Sequence, residues 1–489
     1  MPDRRSRRRG LRRVLAAAAI LSAATAALTS PSPIGQRSAQ AATPGQPATP
    51  IEHVIFIMKE NRSFDGYFGL LPGVDGTDAA SCWLKTGGIK TIQPLPATPD
   101  PMPQDVSHAP SSFTTAYHNG KNDGFCHERG AIVTATGADI ADTQMRESQI
   151  PSYWAYAKKY GIGDRMFASW KGASFGNNVF EIAGQTGRYD LSIDRRAIYG
   201  NPKTPEPGPS YSWGCDDSAG TLVDMIALDG TLSQMYPCYD FPALPNVLDQ
   251  YGVGWKWYAN QGEPQFSHAG IDAIRSIRCS GGLATPCPQN PYWTSHVVRA
   301  SALLTDAQAG ALPGVSWYLP KETEHPPKTA CAGENASVRA IDAIMKGPQW
   351  NSTAIVIVWD EWGGFYDHVV PPTAAGMNAN ISYGFRVPLL VISPWTKVGT
   401  LANGGYVSSR FASHASLLRF VESAFGLPSL GAMDDLANYT AAEPKPGDLM
   451  DFFDFSGVTP PKGKLVLATR TCPTLSVAQK AYIASWNPD

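Results

Sequence analysis

The sequence predicts an α/β domain built on a largely buried sheet. Three observations carry this expectation. Short apolar, β-branched runs recur at 53–58, 253–258, 315–319, 354–359 and 388–393; helical segments fall between and after them at 152–159, 269–277, 338–345 and 414–425; and nothing between residue 51 and about 471 has the composition of a linker. The first run, His-Val-Ile-Phe-Ile-Met, is apolar almost throughout instead of alternating, as a strand covered on both faces requires. The run at 354–359, Ala-Ile-Val-Ile-Val-Trp, is the most strongly strand-like of the five. In the last helical segment Leu417, Leu418, Val421 and Phe425 share one face. Two segments break the alternation. Residues 70–110 are rich in Pro, Gly and Thr, and residues 199–239 carry Pro, Gly, Tyr211, Trp213 and two cysteines. Irregular segments of this length serve as lids or substrate loops, or are surface excursions stapled by a disulfide, and the sequence leaves both readings open.

The segment before this domain has the pattern of an export signal. Seven arginines between Arg4 and Arg13 precede an Ala/Leu run of about 15 residues and small residues around Ala39-Gln40-Ala41, so residues 1–42 are expected to be a signal peptide and 43–50 a linker. The Arg12-Arg13-Val14-Leu15 junction favours the twin-arginine route. The run is shorter than the ~18–20 apolar residues of a bilayer span, and no other stretch approaches that length. Residues 1–42 hold eight of the 40 Lys and Arg and one of the 42 Asp and Glu, which leaves 32 against 41 and a net charge of −9. No basic block remains to track a phosphate backbone, so nucleic acid is not an expected partner. Eight cysteines, none in C-x-x-C spacing, are an even set in an exported chain and are expected to form disulfides. Cys279 with Cys287 and Cys215 with Cys238 are the local pairs; the partners of the other four stay open.

Five places put ligand-type residues where strands end, which is where open α/β sheets bind ligands. Glu60-Asn61 follows the first strand, and a carboxylate beside an amide oxygen suits a hard divalent cation. Asp360-Glu361 follows the 354–359 strand, where two adjacent acids are costly unless a cation or hydrogen-bond donors compensate them; Gly363-Gly364 then let the backbone pass close to whatever is bound. Lys171-Gly-Ala-Ser174-Phe-Gly-Asn177-Asn178 leads into an apolar helix expected to begin near Val179, so Ser174 lies by a positive dipole end suited to phosphate. It lacks the G-x-S-x-G spacing of an α/β-hydrolase elbow. His108 in Asp105-Val-Ser-His108 and His325 in Glu324-His325-Pro326-Pro327 are the fourth and fifth, suited to holding phosphoryl oxygens and protonating a leaving group.

These segments together resemble the bacterial phosphoesterase family of phospholipase C and acid phosphatase type, a branch related to the alkaline phosphatase superfamily. The resemblance runs from Ile51–Asp65 through His118-Asn-Gly-Lys-Asn-Asp-Gly124, Asp272-Ala-Ile-Arg275, Leu312-Pro-Gly-Val-Ser-Trp317, Trp359-Asp-Glu-Trp-Gly-Gly-Phe-Tyr-Asp-His368 and Phe385-Arg-Val-Pro388 to His414-Ala-Ser-Leu-Leu-Arg-Phe420. It implies a three-layer α/β/α sandwich, one divalent metal held by Glu60, Asn61, Asp360 and Glu361, and a serine nucleophile at Ser174 with Asn177 beside it. It also implies active-site roles for His108 and His325, with His268 an outside candidate for substrate binding. The chain departs from the family at Trp362, where a histidine is common, and in Ala173-Ser174-Phe175-Gly176-Asn177, where a proline-rich segment is common. Phospholipase members commonly use threonine at the nucleophile and carry C-terminal β-modules; a serine here and a chain ending about 65 residues past Phe425 point to the phosphatase-like side. The expected activity is thus an exported, metal-dependent phosphoric ester hydrolase working through a phosphoserine, with cleavage of phospholipid head groups as the alternative and a non-catalytic wall- or glycan-binding protein as the distant one. Oxygen ligands favour Mg²⁺, Ca²⁺ or Mn²⁺.

Overall fold

All five apolar runs become strands of one sheet in a computed structural model that describes residues 43–186, 196–203, 213–259, 270–279, 287, 290–373, 380–439, 441 and 444–485. Residues 1–42, expected to be a signal peptide, and Tyr211 and His268 lie outside the described residues. The sheet strands in chain order are β1 (His53–Lys59), β2 (Gly161–Gly163), β3 (Trp255–Ala259), β4 (Val297–Arg299), β5 (Val315–Tyr318), β6 (Thr353–Trp359), β7 (Leu389–Ile392) and β8 (Tyr406–Ser408). They lie side by side in the order β4-β3-β5-β1-β6-β7-β2-β8. Only β7 runs against its neighbours. The three-residue strands β2, β4 and β8 are too short to show a period in the sequence.

Every residue of β5, β6 and β7 is buried, so both faces of the central sheet are covered. The covering helices include α3 (Pro151–Lys159), α4 (Ser174–Ala183), α5 (Ala330–Lys346) and α6 (Ala415–Phe425), with α1 (Phe64–Phe68) and α2 (Pro110–Tyr117) in the loops before them. Three expectations need correction. Helix α4 starts at Ser174 and not near Val179, because the Asn177 side chain holds the entering loop: its Oδ1 accepts from Trp170 N at 2.8 Å, and its Nδ2 donates to the carbonyls of Trp170 and Gly172, each at 3.1 Å. The helix expected over 269–277 is a turn at Ile271–Ala273 and a short helix at Arg275–Arg278. Between them Ile274 is extended, and its neighbours spend their backbone groups on Tyr239 (Tyr239 N to Ala273 O at 2.8 Å, Arg275 N to Tyr239 O at 2.9 Å), which a continuous helix would forbid. Helix α5 begins two turns before the expected start: Thr329 caps it through Cys331 N, and buried Glu334 accepts from Ser152 N and Tyr153 N at the start of α3.

The irregular segments are folded, with their own apolar residues. Around 70–145, Leu95, Met102, Val106, Phe113 and Phe125 pack with Trp362 and Phe385 from the sheet side. A disulfide from Cys82 to Cys126 closes this excursion. The second irregular segment forms a three-stranded antiparallel sheet from Arg196–Ile198, Val223–Ala227 and Leu232–Met235, stapled by Cys215–Cys238. Cys279 pairs with Cys287, and Cys331 with Cys472, tying the start of α5 to the C-terminal segment across 141 residues. Among the described residues no helix is long and apolar enough to cross a membrane.

At the C-terminal side of α6, Glu422 Oε1 accepts from Leu430 N at 2.9 Å, and burial together with Asp434 pushes its carboxyl up to about 9. The folded state thus binds this proton more tightly than the unfolded chain, for which the ordinary value is 4.5. The associated stability is fully present below about pH 4.5 and is lost as pH rises toward 9. Glu422→Gln keeps a neutral group of the same shape. Its Tm should exceed that of the wild type at pH 8, with the gap closing by pH 5; an equal gap at both values would refute the assignment. Thiol titration of denatured, unreduced protein should find less than one free thiol per chain.

Candidate active site

The site grows from the register of the three central strands. In the β1–β6 ladder Lys59 lies opposite Trp359, so Glu60-Asn61 and Asp360-Glu361 leave the sheet side by side. In the β1–β5 ladder Ile57 lies opposite Tyr318, which brings the loop after β5, with His325, to the same edge. Asn61 adopts a left-handed conformation with φ of 60°, which asparagine tolerates better than most residues. This turns its backbone N–H toward Asp360 Oδ1 at 2.9 Å, and the same oxygen accepts from Glu361 N at 2.8 Å. Gly363 is also left-handed; a side chain there would strike the Asn61 carbonyl, since an added Cβ would lie 2.5 Å from it. Glycine is therefore required where the two metal-type loops cross.

Around Asn61 the predicted residues converge. Its Nδ2 donates to His325 Nε2 at 2.8 Å and to His108 Nε2 at 3.2 Å. The Nδ1–H of His108 donates to Val106 O at 2.9 Å and that of His325 to Pro326 O at 2.6 Å, so each ring is held with Nε2 facing the centre. His108 Nε2 is 3.3 Å from Glu361 Oε1, and the Ser174 hydroxyl points at that same oxygen from 3.5 Å. Ser174 is the first residue of α4, so its hydroxyl lies at the positive end of the helix, where Phe175 N already donates to Asn201 Oδ1 at 3.1 Å. Asn61, His108, His325, Glu361, Asp360 and Ser174 thus meet at one point, all buried, and Glu60 is buried next to Asn61 in the chain.

Asn177 is near but differently occupied. Its amide oxygen and both amide hydrogens are spent on the loop before Ser174, as described above, so it holds that loop and has no donor to spare. Residues that the sequence did not single out also shape the site. Asp105 Oδ2 is 4.0 Å from His325 Nδ1, and Asp105, Asp360 and Glu128 all add to the negative field at Glu361. Burial, with Asp360 next, holds the Glu361 carboxyl well above the usual range, while burial and His108 hold the His325 imidazole well below its own. Arg62 ties the two halves: its Nη1 donates to Asn61 O and its Nη2 to Glu324 O, both at 2.7 Å. The acidic residues close to each histidine in the chain were the only local signal for these partners.

The donor set fits a hard divalent cation. Asn61 Oδ1 and Glu361 Oε2 are buried oxygens that accept no hydrogen bond, and a cation between them and the Asp360 carboxylate would compensate both the charge and the lost solvation. In a second group, Asp65, Asp367 and His368, the ligand atoms lie within 4.8 Å of one another. There the cation is already supplied by the protein: buried Arg386 bonds Asp65 Oδ1 at 3.1 Å and Asp367 Oδ1 at 2.9 Å, and His368 Nδ1 bonds Asp65 Oδ2 at 2.6 Å. That cluster locks the loops that follow the two ligand pairs.

A model of the phosphoesterase family matches residues 51–428. Phospholipase C A of Mycobacterium tuberculosis is 26% identical over 458 residues, spanning 84% of this chain and 78% of that protein. The non-hemolytic phospholipase C of Pseudomonas aeruginosa is 27% identical over 423 residues, spanning 77% of this chain and 54% of that one. A solved Vibrio parahaemolyticus protein of the alkaline phosphatase superfamily shares 12% identity over 83% of this chain and 74% of that chain, with a TM-score of 0.33. Because the family match runs from just before β1 to just past α6 and so includes every group gathered at this centre, the chain belongs to the phosphoesterase family and is a phosphoric ester hydrolase.

Proposed function

We propose that the chain is an exported, metal-dependent phosphatase that transfers the phosphoryl group to Ser174 and then to water. One observation carries this reading: the Ser174 hydroxyl, at the start of a helix, points at the same Glu361 oxygen that faces His108. Asp360, Glu361, Asn61 and Glu60 are the residues that would hold the metal, which when bound would neutralise phosphate charge and favour the alkoxide form of a nearby hydroxyl.

Ser174 Oγ attacks phosphorus in line with the ester oxygen. The Oγ–P bond forms as the hydroxyl proton leaves Oγ for a histidine Nε2, the ester P–O bond breaks, and that proton passes on to the leaving alcohol. His108 and His325, whose bare Nε2 atoms face the centre, are suited to take that proton and hand it to the leaving oxygen, and once protonated Nε2 can also donate to an equatorial oxygen. The amides at the start of α4 add fixed positive partial charge where the phosphoryl group arrives. Water then attacks phosphorus, the Oγ–P bond breaks, and a proton from that water restores the Ser174 hydroxyl. Asn177 and Arg62 take no part in bond making; they hold the serine loop and the Asn61–His325 geometry in which charge and position supply the rate. His268 stays an outside candidate for substrate binding. Export rests on the arginine-dense N-terminal segment and on four disulfides, which persist in oxidising compartments.

Serine at the nucleophile supports a monoester substrate. A second reading, release of phosphorylated head groups from phospholipids, is favoured by the names of the relatives. Parallel assays with p-nitrophenyl phosphate and p-nitrophenylphosphorylcholine separate the two: the monoester should turn over faster, and the reverse order would establish the second reading.

Ser174→Ala should lower turnover by several orders of magnitude while fold and metal content stay intact. Acid quench with labelled substrate should find phosphate on Ser174. Label on another residue, or more than about a tenth of wild-type activity in the variant, would exclude this nucleophile. Asp360→Asn removes a charge that the metal needs, so it should cost more than about 100-fold in activity and release metal on dialysis, beyond the ~10–100-fold typical of outer-shell changes. Ser63→Ala, which removes only the hydroxyl that caps α1 and bonds Tyr366 O, should cost less than Asp360→Asn.

A further inference from the structure

His414 belongs to the last sequence string of the family resemblance, and the chemistry above gives it no part. It is fully buried at the start of α6, and its ring joins two segments that the reaction must hold in register. On one side Ser169 N donates to His414 Nδ1 at 3.2 Å, while His414 N donates to Ser169 Oγ at 3.0 Å, a reciprocal pair. Ser169 directly precedes Trp170, the residue whose N–H and carbonyl are held by Asn177 in the loop leading to Ser174. On the other side His414 Nε2 donates to Trp359 O at 3.0 Å, and Trp359 is the last residue of β6, directly before Asp360-Glu361.

The hydrogen-bond roles leave one arrangement of the ring. A carbonyl only accepts, so the proton is on Nε2; the Ser169 N–H only donates, so Nδ1 is bare. Both ring nitrogens are thereby bonded to backbone, one on the nucleophile's loop and one on the strand that delivers the two acids. Glu181, two turns beyond Ser174 on α4, lies 3.9 Å from the same Nε2. The ring therefore spans from the segment carrying the hydroxyl to the segment carrying its Glu361 partner, which are 187 residues apart in the chain. We infer that His414 is a positioning residue for phosphoryl transfer: through Ser169 N and Trp359 O it sets the distance between the Ser174 hydroxyl and the Asp360-Glu361 pair. Neither reacting atoms nor substrate touch it. The inference rests on Ser174 being the nucleophile, and displacement of a reacting group by ~1 Å is enough to cost about 100-fold.

Three variants test it. His414→Phe keeps the ring volume and removes both bonds; His414→Asn keeps an acceptor near the Nδ1 position; His414→Gln keeps a donor near the Nε2 position. The wild type and Ser174→Ala are assayed beside them with p-nitrophenyl phosphate. The expected result is a fall in kcat of about 100-fold for His414→Phe with KM within about threefold, a smaller fall for His414→Asn and His414→Gln, unchanged metal content, and equally slowed labelling of Ser174 in single turnover. If His414→Phe does not fold, the Asn and Gln variants decide: a kcat within about threefold of wild type in both overturns the inference. So does a loss of activity that follows loss of metal or of Tm with no change in the labelling rate of the folded fraction. If Ser174→Ala stays active, it is the nucleophile assignment that fails, whatever the His414 variants do.

Discussion

One carboxylate oxygen, Asp360 Oδ1, accepts the amides of Glu361 and of Asn61, and the geometry of the site depends on that pair of bonds. The first bond fixes the acidic pair as it leaves β6; the second pulls the end of β1 across to it. Asn61 can answer only by turning left-handed, and Gly363 must be a glycine because the Asn61 carbonyl then fills the space where a side chain would be. The Asn61 side chain, its backbone immobilised, reaches both histidines. A change at Asp360 is thus felt at once in the Asn61 and Glu361 side chains, the imidazoles and the crossing of two loops.

Such a site concentrates negative charge in a place with little water, and the surrounding structure is organised around that cost. Elsewhere the protein supplies the cation: Arg386 sits between Asp65 and Asp367, and Lys59 lies 3.6 Å from Glu324, whose carboxylate also receives Trp359 Nε1 and the Tyr153 hydroxyl. At Glu361 burial drives the carboxyl toward its neutral form, and the charged neighbours that weigh most, Asp360, Asp105 and Glu128, are themselves acids and push the same way. This contrast distinguishes a structural ion-pair cluster from a centre suited to an external metal more clearly than the number of acids in either. The ion-paired cluster plays a supporting part, because it anchors the chain just after Asn61 and just after Gly364, so both ligand loops are held at each end.

The excursion around 70–145 serves the site by delivery. Its small core packs on Trp362 and Phe385, its disulfide closes at Cys82–Cys126, and from this platform His108 enters beside Asn61. Trp362, which departs from the family's common histidine, is buried in that packing and so joins excursion and sheet at the position after the acidic pair.

Much of this was legible in the chain. A run such as Ala354–Trp359 can only be a strand covered on both faces, and acids or amides directly after such runs must lie at a sheet edge, because strand direction and the end of apolar burial are local properties. The same holds for the short-range pairs Cys215–Cys238 and Cys279–Cys287. What the tertiary structure alone decided concerns partners far apart in sequence: Cys331 with Cys472, Arg386 with Asp65 and Asp367, and His414 with Ser169 and Trp359. It also decided that Asn177 spends its whole amide on its own loop, so that α4 begins at Ser174, earlier than its apolar periodicity shows. Local composition determines which residues can form a strand or bind a cation. Which of them meet is set by strand order and register, and these follow from burying the whole core at once, a condition no short window of sequence contains.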